Sequence, residues 1–227
     1  MATYDSLVKE ILPYVSGCPD SLVETNLRSA TIELCEKSRA YTFDLDAIST
    51  VSGTFEYDFD QPTGTDVHRI LWLIHGGDDL DPISPRSLEL NFPDWRNRSA
   101  LPRVYLQKTP DTFWLVPVPG SSTTDAIQLS VALKPTRTAS SISTDFSTDY
   151  RDAIIYGALY RLLRIPSRAW SDPGAASDYL SLFTQQVKEA ELRGRAGDLG
   201  VKRLVKYKGV GLTPRKRYKR YGTEIDY

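Results

Sequence analysis

Four sets of residues have types and spacings that could do chemistry: two histidines, three groups of aspartates, two cysteines and a cationic, tyrosine-bearing C-terminal stretch. His75-Gly76-Gly77 has the composition of an esterase oxyanion loop. The nucleophile elbow G-x-S-x-G is absent, however, so no serine completes a triad and the Gly-Gly pair reads as a hairpin turn. His68 and His75 lie seven residues apart, which on a regular strand puts them on opposite faces and prevents them from sharing a metal. Asp44/Asp46, Asp58/Asp60 and Asp78/Asp79/Asp81 could suggest a metal-dependent nuclease or a calcium loop. No D-x-D-x-D-G run with a downstream glutamate occurs, and aspartates collect at strand ends and turns. No phosphate-binding loop is present either, because Gly209-Val-Gly211 has neither a strand before it nor a helix after it. The reading is of a chain that is not an enzyme and needs no metal or cofactor.

The C-terminal stretch is the feature with no routine structural reading. From Val201 it carries nine lysines and arginines against only Glu224 and Asp226, while the middle of the chain is acidic. Its basic, glycine-punctuated composition gives it no core of its own, yet tyrosines are uncommon in tails that merely solubilise. Lys206, Tyr207, Arg215, Arg217, Tyr218, Arg220 and Tyr221 are therefore expected to dock on a partner, tyrosine and arginine being common interface anchors. The alternative is a nucleic-acid-binding accessory protein that uses the same arm on phosphates.

These groups must be positioned by the elements before them. Tyr150–Leu163 repeats Tyr150, Ile154, Ala158 and Leu162, with Ile155, Leu159 and Leu163 alongside, as a broad helical stripe that Ile165-Pro166 ends. Asp172-Pro173 has the N-cap and N1 types of a new helix. That helix carries Ala176, Leu180, Phe183, Val187 and Ala190, with Gly194 and Gly197 marking its end. Two helices open the chain. Tyr4–Tyr14 carries Leu7, Val8, Ile11 and Leu12. Pro19–Arg39 carries Val23, Leu27, Ala30, Leu34 and Cys35, with Ser21 and Glu24 at capping-box spacing.

Between the helical pairs the period shortens to two. Strands are predicted at Thr42–Leu45, Thr54–Phe59, Val67–Ile74, Arg103–Lys108, Thr112–Val116 and Ala126–Leu133, with a short helix at Ser84–Asn91. Turn residues at 109–111 and 119–122 imply consecutive hairpins, hence an antiparallel meander. Residues 133–146 read as an extended connector. The fold class is α+β: a helical bundle of the N- and C-terminal helices (residues 1–41 and 147–196), an inserted antiparallel β subdomain (42–146) and an extended basic C-terminal arm (197–227). At 227 residues and net charge −1, one sizeable domain is expected. There is no membrane-spanning apolar run and no secretory signal, and Cys18 and Cys35 read as reduced core thiols of a protein assembled in the cytoplasm.

The order of features resembles a known family. Leu101-Pro102-Arg103-Val104-Tyr105 is followed by Phe113-Trp114-Leu115-Val116-Pro117-Val118-Pro119. A helix with Tyr150, Ala153, Ile154 and Gly157-Ala158 comes next, then Trp170-Ser171-Asp172-Pro173 and a helix with Tyr179 and Phe183. The chain is similar over nearly its whole length to head-to-tail adaptor (connector) proteins of tailed bacteriophages, the short-tailed ones especially. That resemblance implies a non-enzymatic virion protein at the capsid–tail junction. It implies a homo-oligomeric ring, typically of twelve subunits, beneath the portal protein and above a tail tube or nozzle protein. DNA would pass through the channel without sequence-specific binding, and the C-terminal arm would reach along the portal.

Overall fold

The helical stripes pack into one core, and the β region builds two others of its own. The computed structural model describes residues 2–196. The chain opens with a two-residue strand, β1 (Ala2–Thr3), and helix α1 (Tyr4–Ile11), whose last turn tightens into a 3₁₀ turn at Leu12–Tyr14. Helix α2 (Asp20–Ser38) follows. The expected Ser21–Glu24 capping box is not formed. Ser21 already lies inside the first turn, Pro19 is the cap residue, and its carbonyl accepts from the N–H groups of Leu22 and Val23. Glu24 pairs instead with Arg28 one turn on, at 2.7 Å. Arg39, in the left-handed region at φ 55°, ends the helix.

The β region comprises β2 (Thr42–Asp44), β3 (Ile48–Thr50), β4 (Glu56–Asp58), β5 (Thr65–His75), β6 (Asp78–Asp79), β7 (Asp81–Pro82), helix α3 (Pro85–Asn91), β8 (Ser99–Ala100), β9 (Val104–Gln107), β10 (Thr112–Val116), β11 (Val118–Pro119) and β12 (Thr123–Pro135). Residues 136–150 hold β13 (Ser141–Ile142), which pairs with β1, and helix α4 (Thr144–Asp149). Helices α5 (Arg151–Leu163) and α6 (Pro173–Ala196) complete the described residues, making a mixed α+β chain.

The expected meander holds for one hairpin only. β9 and β10 pair across the Thr109–Asp111 turn, but β10 does not pair with β12. Pro117 and Pro119 bring no N–H donors, so the ladder stops there. The chain passes through β11, which pairs in parallel with β8, before β12 enters a different sheet. β7 also pairs in parallel with β9, so the region is not wholly antiparallel. One sheet has the order β4-β10-β9-β7 and the other β2-β12-β5-β6, with β3 also on β12. Between them lie Tyr57, Tyr105, Phe113 and Leu115 from the first, and Val67, Ile70, Leu73, Leu129 and Val131 from the second. The first sheet's other face holds Leu106, Trp114 and Val116 against Leu88 and Trp95, as strand alternation requires.

Strand β5 breaks period two. His68 and Leu71 each face no partner in the β5–β12 register, so each is the extra residue of a bulge. One added residue per step moves the core-facing positions to Val67, Ile70 and Leu73, a spacing of three. The same bulges leave Leu71 and Trp72 39% and 42% exposed.

The helices share their own core. Val23, Leu27, Ala30 and Leu34 of α2, Ile154, Ala158 and Leu162 of α5, Phe183 and Ala190 of α6 and Tyr4 and Ile11 of α1 are all buried in it. The tightest point is Gly157 in α5. A Cβ there would stand 2.8 Å from the Ala30 methyl and 2.9 Å from the Phe183 ring. Glu33 ties the same helices from outside, accepting from Lys37 within α2 and from Arg161 and Tyr160 of α5. Burial works against its charged form, but hydrogen bonds from Lys37 and Tyr160 and the Arg161 charge outweigh burial and hold its carboxyl below the usual range.

Alanine at 157 gains about 1 kcal/mol of helix propensity. The overlap with Ala30, whose methyl has no rotamer to escape into, costs about 1–3 kcal/mol and should exceed that gain. Gly157→Ala is thus expected to lower the urea midpoint at unchanged m-value. A midpoint at or above that of the parent would show that the helices can move apart freely.

Candidate docking surface

Helix α6 leads towards the C-terminal arm, and its start is fixed twice. The Asp172 carboxylate accepts from the Ala175 N–H at 3.0 Å, an N-cap bond ahead of Pro173. The Asp172 N–H donates to the Leu163 carbonyl at 3.0 Å, stitching the start of α6 to the end of α5. Along the helix Tyr179 meets Tyr14 and Tyr156 edge-on or tilted, and Phe183 meets Tyr160.

Two positions differ from the expected stripe. Leu180 is 41% exposed, while Tyr179 on the opposite flank packs against Tyr14 of the 3₁₀ turn and Tyr156 of α5. It borders a groove of 350 Å³ between α2 and α6, with Glu33, Lys37, Lys188 and Glu191 at its edges. Gly194 does not mark the helix end, since α6 continues to Ala196. A Cβ there would stand 3.3 Å from the Ser38 carbonyl, so glycine lets α6 pass close to the end of α2. Gly197 lies outside the described residues, as do Lys206, Tyr207, Arg215, Arg217, Tyr218, Arg220 and Tyr221.

The other candidates occupy structural positions. His75 and Asp78 are paired across a two-residue turn in which Gly76 and Gly77 have φ of 59° and 91°, as a tight hairpin requires. Among the described residues no cluster of histidine, cysteine and acidic side chains could hold a metal ion. Cys18 and Cys35 are free, buried thiols, and burial pushes both up from the ordinary range, away from the reactive thiolate. No helix among the described residues is long and apolar enough to cross a membrane. Sequence reading missed the Glu33–Arg161–Tyr160 junction, whose partners lie more than a hundred residues apart in the chain.

What the described residues offer, then, is closely packed helix junctions and exposed apolar positions such as Leu71, Trp72 and Leu180. Comparison of sequences gives the class its name: the chain is a bacteriophage head-to-tail adaptor, a structural protein. A profile of the SU10 adaptor protein family matches residues 2–203, a span that includes every described residue, and the chain belongs to that family. No curated protein matches it.

His75 is buried, and neither ring nitrogen has a partner. Burial lowers its pKa, against the opposing pull of Asp78, and His68 is lowered by burial as well. A folded-state pKa below the unfolded value of about 6.5 means that the unfolded chain binds the proton first as pH falls. Stability should therefore drop from about pH 6.5 downward, and His75→Gln should remove part of that drop while His68 retains the rest. Urea unfolding at pH 7.5 and 5.5 measures it. Equal losses in parent and variant would show that His75 is solvated.

Proposed function

We propose that this adaptor closes into a ring, of twelve subunits, that joins the portal to the tail and surrounds the DNA channel of the virion. The observation that carries this reading is the family match across every described residue. Residues 1–41 and 147–196 would form the bundle that makes the ring body, and residues 42–146 the inserted β-rich part that faces the tail tube or nozzle protein. The arm, residues 197–227, docks on the portal through Lys206, Tyr207, Arg215, Arg217, Tyr218, Arg220 and Tyr221. An arm that orders on binding loses chain entropy at that moment, so locking is coupled to contact with the portal.

The α5–α6 corner supports the ring reading on physical grounds. Any error in the direction of α6 is repeated at each subunit, and a closed ring tolerates no accumulated error. Asp172 restrains that direction through its side chain at one helix and its N–H at the other.

Light scattering and negative-stain imaging of the protein, alone and mixed with portal, test the reading. A ring capping the portal is expected. A chain ending at Gly200 should keep the parent's melting temperature but lose portal binding. Unchanged portal binding would exclude the arm as the docking element, and a monomer indifferent to portal would exclude the ring. Tight duplex-DNA binding that falls steeply with salt would point to phosphates as the arm's target.

A further inference from the structure

A cleft of 510 Å³ opens along the edge where the two sheets come together. Its floor is apolar, with Ile70 and Leu73 of β5 on one side and Tyr105 of β9 on the other. The β5 edge is without a strand neighbour there, because β6 pairs only with Ile74 and His75. In place of a strand, the Gln107 amide accepts from the Ile70 N–H at 3.2 Å and donates to the Val67 carbonyl at 3.0 Å. Exposed Leu71 and Trp72, turned out by the β5 bulge, stand at the mouth.

The rim is cationic. Arg39 and Arg69 line it against one carboxylate, Asp79. Neither guanidinium forms an ion pair or hydrogen bond among the described residues, and the Arg39 Nε is buried without an acceptor. A buried N–H that finds no acceptor is unfavourable, so Arg39 is poised to receive one. Past Gln107 the surface continues into a hollow of 300 Å³ that includes Lys108 and Lys134, the latter already paired with Glu36 at 2.7 Å. The track therefore suits an extended chain better than a single small anion.

We propose that this cleft is a second docking site, distinct from the arm, and that it receives an extended acidic segment of another polypeptide. An apolar side chain of that segment fills the floor beside Trp72, and a carboxylate one residue along meets Arg39 and Arg69 as a charge-assisted pair. A polypeptide fits better than a nucleic acid. The floor is mainly aliphatic rather than a stacking platform, and the two arginines match a carboxylate better than a row of phosphates.

Fluorescence anisotropy of the full chain with three labelled probes tests this: a nine-residue peptide alternating glutamate and leucine, its lysine–leucine counterpart, and a ten-nucleotide thymidine strand. The glutamate peptide is expected to bind, with affinity at least tenfold weaker in Arg69→Glu and in Trp72→Ser, and the lysine peptide is not. Both substitutions are at exposed positions, and melting curves equal to the parent's verify folding; Leu71→Ser replaces either one that fails. Failure of the glutamate peptide to bind the parent would overturn the proposal. Binding undiminished in Arg69→Glu would place the peptide on the basic arm and overturn it, as would equal binding of the lysine peptide. A thymidine strand that binds more tightly and is lost in Arg69→Glu would assign the cleft to nucleic acid instead.

Discussion

The close approach of three helices at Gly157 is the constraint on which the helical core depends. Ala30, Gly157 and Phe183 belong to α2, α5 and α6, and only the missing side chain at 157 lets an alanine methyl and a phenyl ring meet there. With that separation set, the stripes of α2 and α5 interdigitate, and Glu33 reaches both Arg161 and Tyr160 without leaving its own helix. Close-packed interiors have few other solutions, since neither a wider gap nor a larger residue is absorbed without loss.

The strands work under a different rule. β12 is the longest, and it pairs with β2, β3 and β5, so it organises one sheet, while β9 and β10 organise the other. Bulges at His68 and Leu71 let β5 keep its apolar residues on the inter-sheet core while bending past Gln107. The same irregularity that satisfies the core puts Trp72 at the surface. Core packing and surface character are set together by two inserted residues.

Much of this was legible in the chain. Period 3.6 located every long helix, Asp172-Pro173 marked the start of α6, and the Gly76-Gly77 turn was read correctly because its chemistry is local. What escaped was non-local. Pairing of β12 with β5 rather than β10 depends on partners fifty or more residues away, and turn residues at 119–122 mimic a hairpin whichever strand follows. Leu180 and Tyr179 lie on either flank of the α6 stripe. The structure turns Tyr179 towards Tyr14 of the 3₁₀ turn and Tyr156 of α5, partners that no local pattern reveals. The unpaired arginines of the cleft likewise carry no pattern, because Arg39 at the end of α2 and Arg69 in β5 line one cleft only in the folded chain. The arm's tyrosines and cations are visible in the sequence alone.

The separation of α2 from α5 along the chain has a consequence in time. As the polypeptide leaves the ribosome, Val23, Leu27 and Leu34 emerge with α2, but the apolar face that covers them belongs to α5, on the far side of the whole β region. At about 5–20 residues per second, the 125 residues from the end of α2 to the end of α5 keep it waiting roughly 6–25 seconds for its partner. During that interval its stripe is open to neighbouring nascent chains. When many copies are made together, the speed of completing α5 is therefore set against the rate of wrong encounters between half-made chains.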